Sequence, residues 1–146
     1  MADKINEILV PVDGSENSIR AARFAMRLAG ALDIGVRLFY VFPAVSVELV
    51  GMTGMSSTDI EHAGETSGRR AFDAVEGALK DELVDQVEHQ VALGDPAEEI
   101  IAYTDKNPAV LVVMGRRGLS RMRTLLLGSV SDKVTRHAKC PVTIVT

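Results

Sequence analysis

Residues 114 to 131 read MGRRGLSRMRTLLLGSVS, and their residue types are those of an anion site. Gly115 directly follows an apolar run, Gly118 comes next, and Gly128-Ser129 stands further on. Glycine lets main chain approach a ligand or take positive φ. Successive N–H groups in such a turn form a concavity that accepts anions. Gly128-Ser129-Val130-Ser131 opens a helical pattern, whose free N–H groups and positive dipole end favour phosphate. Ser129 and Ser131 add hydroxyl donors, and Arg116 or Arg117 adds a forked cation. The plainer reading is a turning loop made soluble by Arg116, Arg117, Arg121 and Arg123, with Ser129 or Ser131 as helix cap. Strand end, arginines and serine-bearing helix start together favour phosphate. The stretch is not a P-loop, because G-x-x-x-x-G-K-[ST] is absent, and no G-x-G-x-x-G follows the first strand.

Other residues offer less. Asp13-Gly14-Ser15 closes the first apolar run, where Asp13 reads as a turn residue and Ser15 as a helix cap. Both roles are compatible with touching a ligand. His62, His89 and His137 are scattered without acid partners at ligand spacing, so no zinc site is expected. No Ser-His-Asp set follows from spacing. The lone Cys140 excludes an intramolecular disulfide and reads as a small buried residue. Met52 and Met55 suggest an adaptable contact surface or a flexible flap over a ligand.

These residues need elements to hold them. Ile5 to Val12 reads as a buried strand and Ser18 to Leu32 as a helix with Ala22, Ala25, Met26 and Ala29 inward. Gly35 to Phe42 is a second strand. Residues 43 to 58 fit neither element and read as a mobile loop. A helix is expected from Thr58 to Asp85, with a stripe of Ala71, Val75, Ala78, Leu79 and Leu83, although Gly64, Gly68 and Gly77 weaken it. Val87 to Leu93 alternates like a strand nearer a sheet edge. Asp95-Pro96-Ala97-Glu98 carries helix-start signals, with Asp95 as cap and Glu98 in the reciprocal position. Asn107-Pro108 ends that helix, Ala109 to Met114 is a wholly apolar strand, Ser129 to Ala138 is helical, and Pro141 to Val145 is the last strand. Strands separated by helices predict right-handed crossovers and a mainly parallel sheet covered on both faces. Ligands in such folds bind beyond the carboxyl ends of the strands, where strand order reverses.

Composition narrows the function classes. The 146 residues suffice for one domain, 1–146, with a sizeable core, and 47% apolar with 25% charged residues is ordinary for a globular protein. A net charge of −4 argues against a general nucleic-acid binder. The opening MADKINEILVPVD lacks the basic head and apolar run of a signal peptide. No apolar run approaches the roughly 20 residues of a membrane span. A soluble, cytoplasmic protein is expected, without membrane or nucleic-acid partners.

The spacing G-x2-G-x9-G-S at Gly115, Gly118, Gly128 and Ser129 resembles the ATP-binding signature of the universal stress protein family. ILVPVDGSENS, LGDPAEEI and GSVSDKVTRHAKCPVTIV resemble that family in the same order, so the likeness spans most of the chain. It implies a three-layer α/β/α fold, Rossmann-like and similar to the adenine nucleotide alpha hydrolases, with five parallel strands ordered 3-2-1-4-5. It implies ATP as ligand, with Mg²⁺ on the phosphates left open. Asp13 would meet the ribose or adenine end, and Pro11, Val12 and the Val41 backbone would line the adenine pocket. Gly94 would sit near the same mouth, and Met114 and Gly115 against the ribose. Arg117, Gly118, Ser129, Val130 and Ser131 would hold the phosphates. Residues 141–146 would pair antiparallel in a homodimer. The function implied is a nucleotide-dependent regulatory module; a slow ATP hydrolase and a nucleotide-independent dimeric interaction protein are the alternatives.

Overall fold

The computed structural model describes residues 4–43, 48–49, 51–117 and 127–146. β1 (Glu7–Pro11), β2 (Gly35–Pro43), β3 (Val87–Gly94), β4 (Val110–Gly115) and β5 (Val142–Val145) form one sheet in the order β3-β2-β1-β4-β5. Every pairing is parallel, with Leu9 opposite both Arg37 and Val112. Among the described residues, the long helices between the strands are α1 (Glu16–Leu32), α2 (Ser57–Ala78), α3 (Pro96–Lys106) and α4 (Ser129–His137). The chain works outward from β1 to β3 and then returns to place β4 on the other side of β1. Strand order therefore reverses between β1 and β4.

β1 and β4 are central and covered on both faces, which is why ILV and VLVVM are apolar without alternation. Ile8, Val10, Val36 and Leu38 meet Ala21, Ala25 and Met26 of α1 and Ala71, Phe72 and Val75 of α2. Leu9, Phe39, Val110 and Val112 meet Ala97 and Ile100 of α3 and Val134 of α4. These two cores make the three layers. Away from the strand ends that carry the site, Arg37 bridges Glu7 at 3.1 Å, while the Tyr103 hydroxyl donates to Glu7. Burial, followed by that carboxylate, pushes the Tyr103 phenol up to about 12.

α1 starts earlier than its apolar pattern, because Ser15 Oγ accepts the Ser18 N–H at 3.2 Å and admits Glu16 and Asn17 to the first turn. α2 stops at Ala78, well before Asp85. The chain turns at Leu79, where Glu82 N–H donates to the Leu79 carbonyl at 2.7 Å. This places Glu82 3.0 Å from Arg23 and 3.2 Å from Arg27 of α1. Leu79 and Leu83 still reach the core, so the apolar stripe continued beyond the helix that carries its first part.

Gly64 and Gly68 line the buried face of α2. A Cβ at Gly68 would lie 2.7 Å from Val91 Cγ2, and one at Gly64 would lie 2.8 Å from Leu93 Cδ2. Within 43–58, Glu48, Leu49, Gly51 and Met52 have helical backbone, residues 44–47 and 50 lie outside the described residues, and Ser56 with Asp59 forms a capping box for α2. Met52 is 84% exposed.

Candidate functional site

At the carboxyl ends of β1 and β4, where strand order reverses, lies a cavity of about 300 Å³. Pro11, Val12 and Asp13 line it from the end of β1, and Phe39, Tyr40, Val41 and Pro43 from β2. Met114, Gly115 and Arg117 come from the end of β4, and Gly128, Ser129, Val130 and Ser131 from the start of α4. Its wall is mainly apolar, with polar groups from few residues, the usual make-up of a small-molecule site.

Local backbone chemistry places these residues. Asp13 accepts the Ser15 N–H at 2.9 Å through Oδ1, an Asx turn that carries the chain from β1 into α1 across Gly14, whose φ is +83°. Asp13 is thus both turn residue and cavity wall. Gly115 needs its lack of side chain. A Cβ there would lie 2.9 Å from the Asn17 carbonyl oxygen, so the end of β4 runs directly against the first turn of α1. Gly128 has φ −65°, and its N–H donates to the Arg116 carbonyl at 2.8 Å. A Cβ on it would lie 3.3 Å from Arg117 Cα. The two signature glycines among the described residues, Gly115 and Gly128, therefore serve close approach of main chain and not positive φ.

α4 begins differently from the other helices. α1, α2 and α3 are capped by the side chains of Ser15, Ser56 and Asp95. The N-cap of α4 is Gly128, with no side-chain cap, so the plainer alternative of Ser129 or Ser131 as the cap does not hold. The geometric reason is position: both serines lie inside the helix, past the cap. The first intrahelical bond runs from Asp132 N–H to the Gly128 carbonyl at 2.9 Å. The N–H groups of Ser129, Val130 and Ser131 precede it at the cavity wall. Ser129 is exposed. Ser131 is only 3% exposed, and its hydroxyl donates to the Gly115 carbonyl at 2.8 Å. On α3, Asp95 caps through the Glu98 N–H at 3.0 Å, while the Glu98 carboxylate reaches Lys133 of α4 at 3.4 Å.

Of the residues expected at the site, Pro11, Val12, Asp13, Val41, Met114, Gly115, Arg117, Gly128, Ser129, Val130 and Ser131 share this cavity. Ser15 caps α1, and Gly94 ends β3 with φ +147° against Glu99; neither is in the lining. Gly118 lies outside the described residues, as do Arg121, Arg123, Leu125 and Leu126. Sequence reasoning missed Ser18, Phe39, Tyr40, Pro43, Pro96 and Ile100. Their only sequence signal was position near strand ends and a helix start. Burial raises the Tyr40 phenol above its usual value, and a hydrogen bond with Ser67 opposes this. Met52 and Met55 are not in the lining, and no histidine is. Among the described residues, Asp13 is the only carboxylate in the lining, and no group of three His, Cys, Asp or Glu could hold a metal.

The sequence model of the Universal stress protein family matches residues 4–146. Universal stress protein MJ0531 of Methanocaldococcus jannaschii is 32% identical over 140 residues, spanning 95% of this chain and 81% of that protein. Universal stress protein UspA of Lactobacillus plantarum has a similar fold, with TM-score 0.77, 20% identity and 99% of each chain covered. A universal stress protein solved in complex with cAMP superposes with TM-score 0.67 at 25% identity, covering 98% of each chain.

Proposed function

The chain belongs to the universal stress protein family, and on that premise we propose that it binds ATP between β1 and β4 and works as a nucleotide-dependent regulatory module of the stress response. The observation that carries this reading is the start of α4. A helix with no side-chain cap opens with N–H groups free of intrahelical bonds at the wall of a largely apolar cavity. Phosphate suits that end, because the N–H groups donate to it and the dipole favours negative charge. Arg117 in the same wall adds cationic charge. The apolar surfaces of Val12, Val41 and Met114 suit an adenine ring, and Asp13 offers a carboxylate to ribose hydroxyls.

The described residues fit a nucleotide better than a resident metal. With Asp13 as the only lining carboxylate among them, Mg²⁺ would travel with the phosphates, using their oxygens and water. No helix among the described residues is long and apolar enough to cross a membrane. Among the described residues, β5 ends the sheet with one unpaired edge, and its antiparallel pairing with a second copy would make a homodimer.

Calorimetry with ATP, AMP, cAMP and adenosine tests the reading. ATP should bind, and adenosine should bind more weakly because it lacks the groups that α4 would hold. A protein that binds adenosine and ATP equally would remove the role given to α4, and one that binds none would end the proposal. A second reading rests on the 25% identical relative in complex with cAMP: a monophosphate or cyclic nucleotide is the signal. Tighter binding of cAMP or AMP than of ATP would select it.

A further inference from the structure

The start of α4 is tied to the end of β4 by two bonds. Gly128 N–H donates to the Arg116 carbonyl at 2.8 Å, and Ser131 Oγ–H donates to the Gly115 carbonyl at 2.8 Å. The second is a buried bond from a side chain that is 3% exposed. A serine hydroxyl has one proton to donate, and here it is committed within the protein. The oxygen that remains carries lone pairs, which repel a phosphate oxygen. Ser131 is held at its carbonyl too, which accepts from Thr135 Oγ1 at 2.6 Å. Arg116, the neighbour of Gly115, donates its own N–H to the Val145 carbonyl of β5 at 3.0 Å.

We infer that Ser131 is a positioning residue: its hydroxyl, bonded to the Gly115 carbonyl, holds the first turn of α4 at a fixed distance from β4 so that the N–H groups of Ser129, Val130 and Ser131 stand ready for phosphate before any ligand arrives. This rests on the nucleotide reading of the cavity and changes the role of one residue within it. A hydroxyl that acted as a direct phosphate donor would have to leave a satisfied, buried bond and orphan the Gly115 carbonyl, which costs the desolvation of that group. The main-chain N–H of Ser131 faces no such conflict. Preformed donors lose less freedom when the anion binds.

The test measures amide hydrogen exchange in the unligated full-length protein and, separately, affinities for ATP and adenosine. Ser131→Ala should speed exchange over residues 128–132 and weaken ATP by roughly tenfold, the scale of one net hydrogen bond. Adenosine affinity should stay unchanged, and Ser131→Thr, which keeps a hydroxyl, should restore both properties. Ser129→Ala, which removes an exposed hydroxyl, should leave the unligated exchange as it was. Loss of ATP affinity in Ser131→Ala with unchanged unligated exchange would make the hydroxyl a ligand and overturn the inference. Faster exchange without weaker ATP binding would overturn it too, as would no change in either. If the wild-type protein binds no ATP, the nucleotide reading fails while the exchange measurement still decides whether Ser131 braces α4.

Discussion

At the scale of single residues, space matters more than backbone freedom at the two signature glycines the structure describes. Gly115 is enclosed by main chain: its missing Cβ would lie 2.9 Å from the Asn17 carbonyl oxygen and 3.0 Å from the Asn17 carbonyl carbon. Main chain in the first turn of a helix gives way less readily than a side-chain tip. Gly115→Ala should therefore push β4 away from α1 and destabilise the protein by about 1–3 kcal/mol, the usual range for overpacking. The same shift displaces the carbonyl that Ser131 holds, so ATP affinity should fall in variants that still fold. Urea melts beside calorimetry check both effects. An alanine variant with wild-type stability would show that this contact relaxes freely.

At the scale of elements, α2 shows how a helix can be read correctly from its stripe yet valued wrongly. Its glycines count against it by propensity, since glycine in a helix costs roughly 0.5–1 kcal/mol relative to alanine. In the structure they let α2 lie against β2 and β3. The neighbours of Gly64 and Gly68 differ in what they can yield. A Cβ at Gly64 would meet the tip of Leu93, a 37% exposed side chain with room to move. One at Gly68 would meet the branched Val91 at 2.7 Å and the Tyr40 ring at 3.2 Å. Gly64→Ala should be neutral or slightly stabilising, while Gly68→Ala should destabilise by about 1–3 kcal/mol. It should also disturb Tyr40 in the cavity wall. Thermal melts of the two variants make the comparison, and equal effects would refute the distinction.

At the scale of the whole molecule, the cavity and the last strand are joined. Arg116 accepts from Gly128 and donates to Val145, so one residue links the start of α4 to β5. Pro141 and Val145 direct their carbonyls toward β4, accepting from Val112 and Arg116 at 3.0 Å each. A residue in a strand sends its N–H and C=O to the same side, so Val142 and Ile144 direct theirs to the outer edge. If β5 pairs with a second copy as proposed, the amides of Val142 and Ile144 should gain protection from exchange as protein concentration rises, and sedimentation should report a dimer over the same range. Rapid exchange of both amides at concentrations where the protein sediments as a dimer would place the interface elsewhere.

The sequence by itself determined the order of elements and the parallel sheet, and its resemblance to a family supplied most of the residues that line the cavity. Apolar runs such as VLVVM are long enough only for strands covered on both faces, and caps such as Ser15 and Asp95 act within a few residues of where they stand. Those signals are local, so spacing along the chain carries them. The tertiary structure alone decided that Phe39, Tyr40, Pro96 and Ile100 join the same cavity, because β2 and α3 meet there only once the sheet has formed. It also decided that α2 ends at Ala78, since the chain turns at Leu79 while Leu79 and Leu83 stay packed on a core whose other members are far away in sequence. And it turned Ser131 inward, toward a carbonyl that folding brings within 2.8 Å, where a reading of GSVS alone saw one more donor for phosphate.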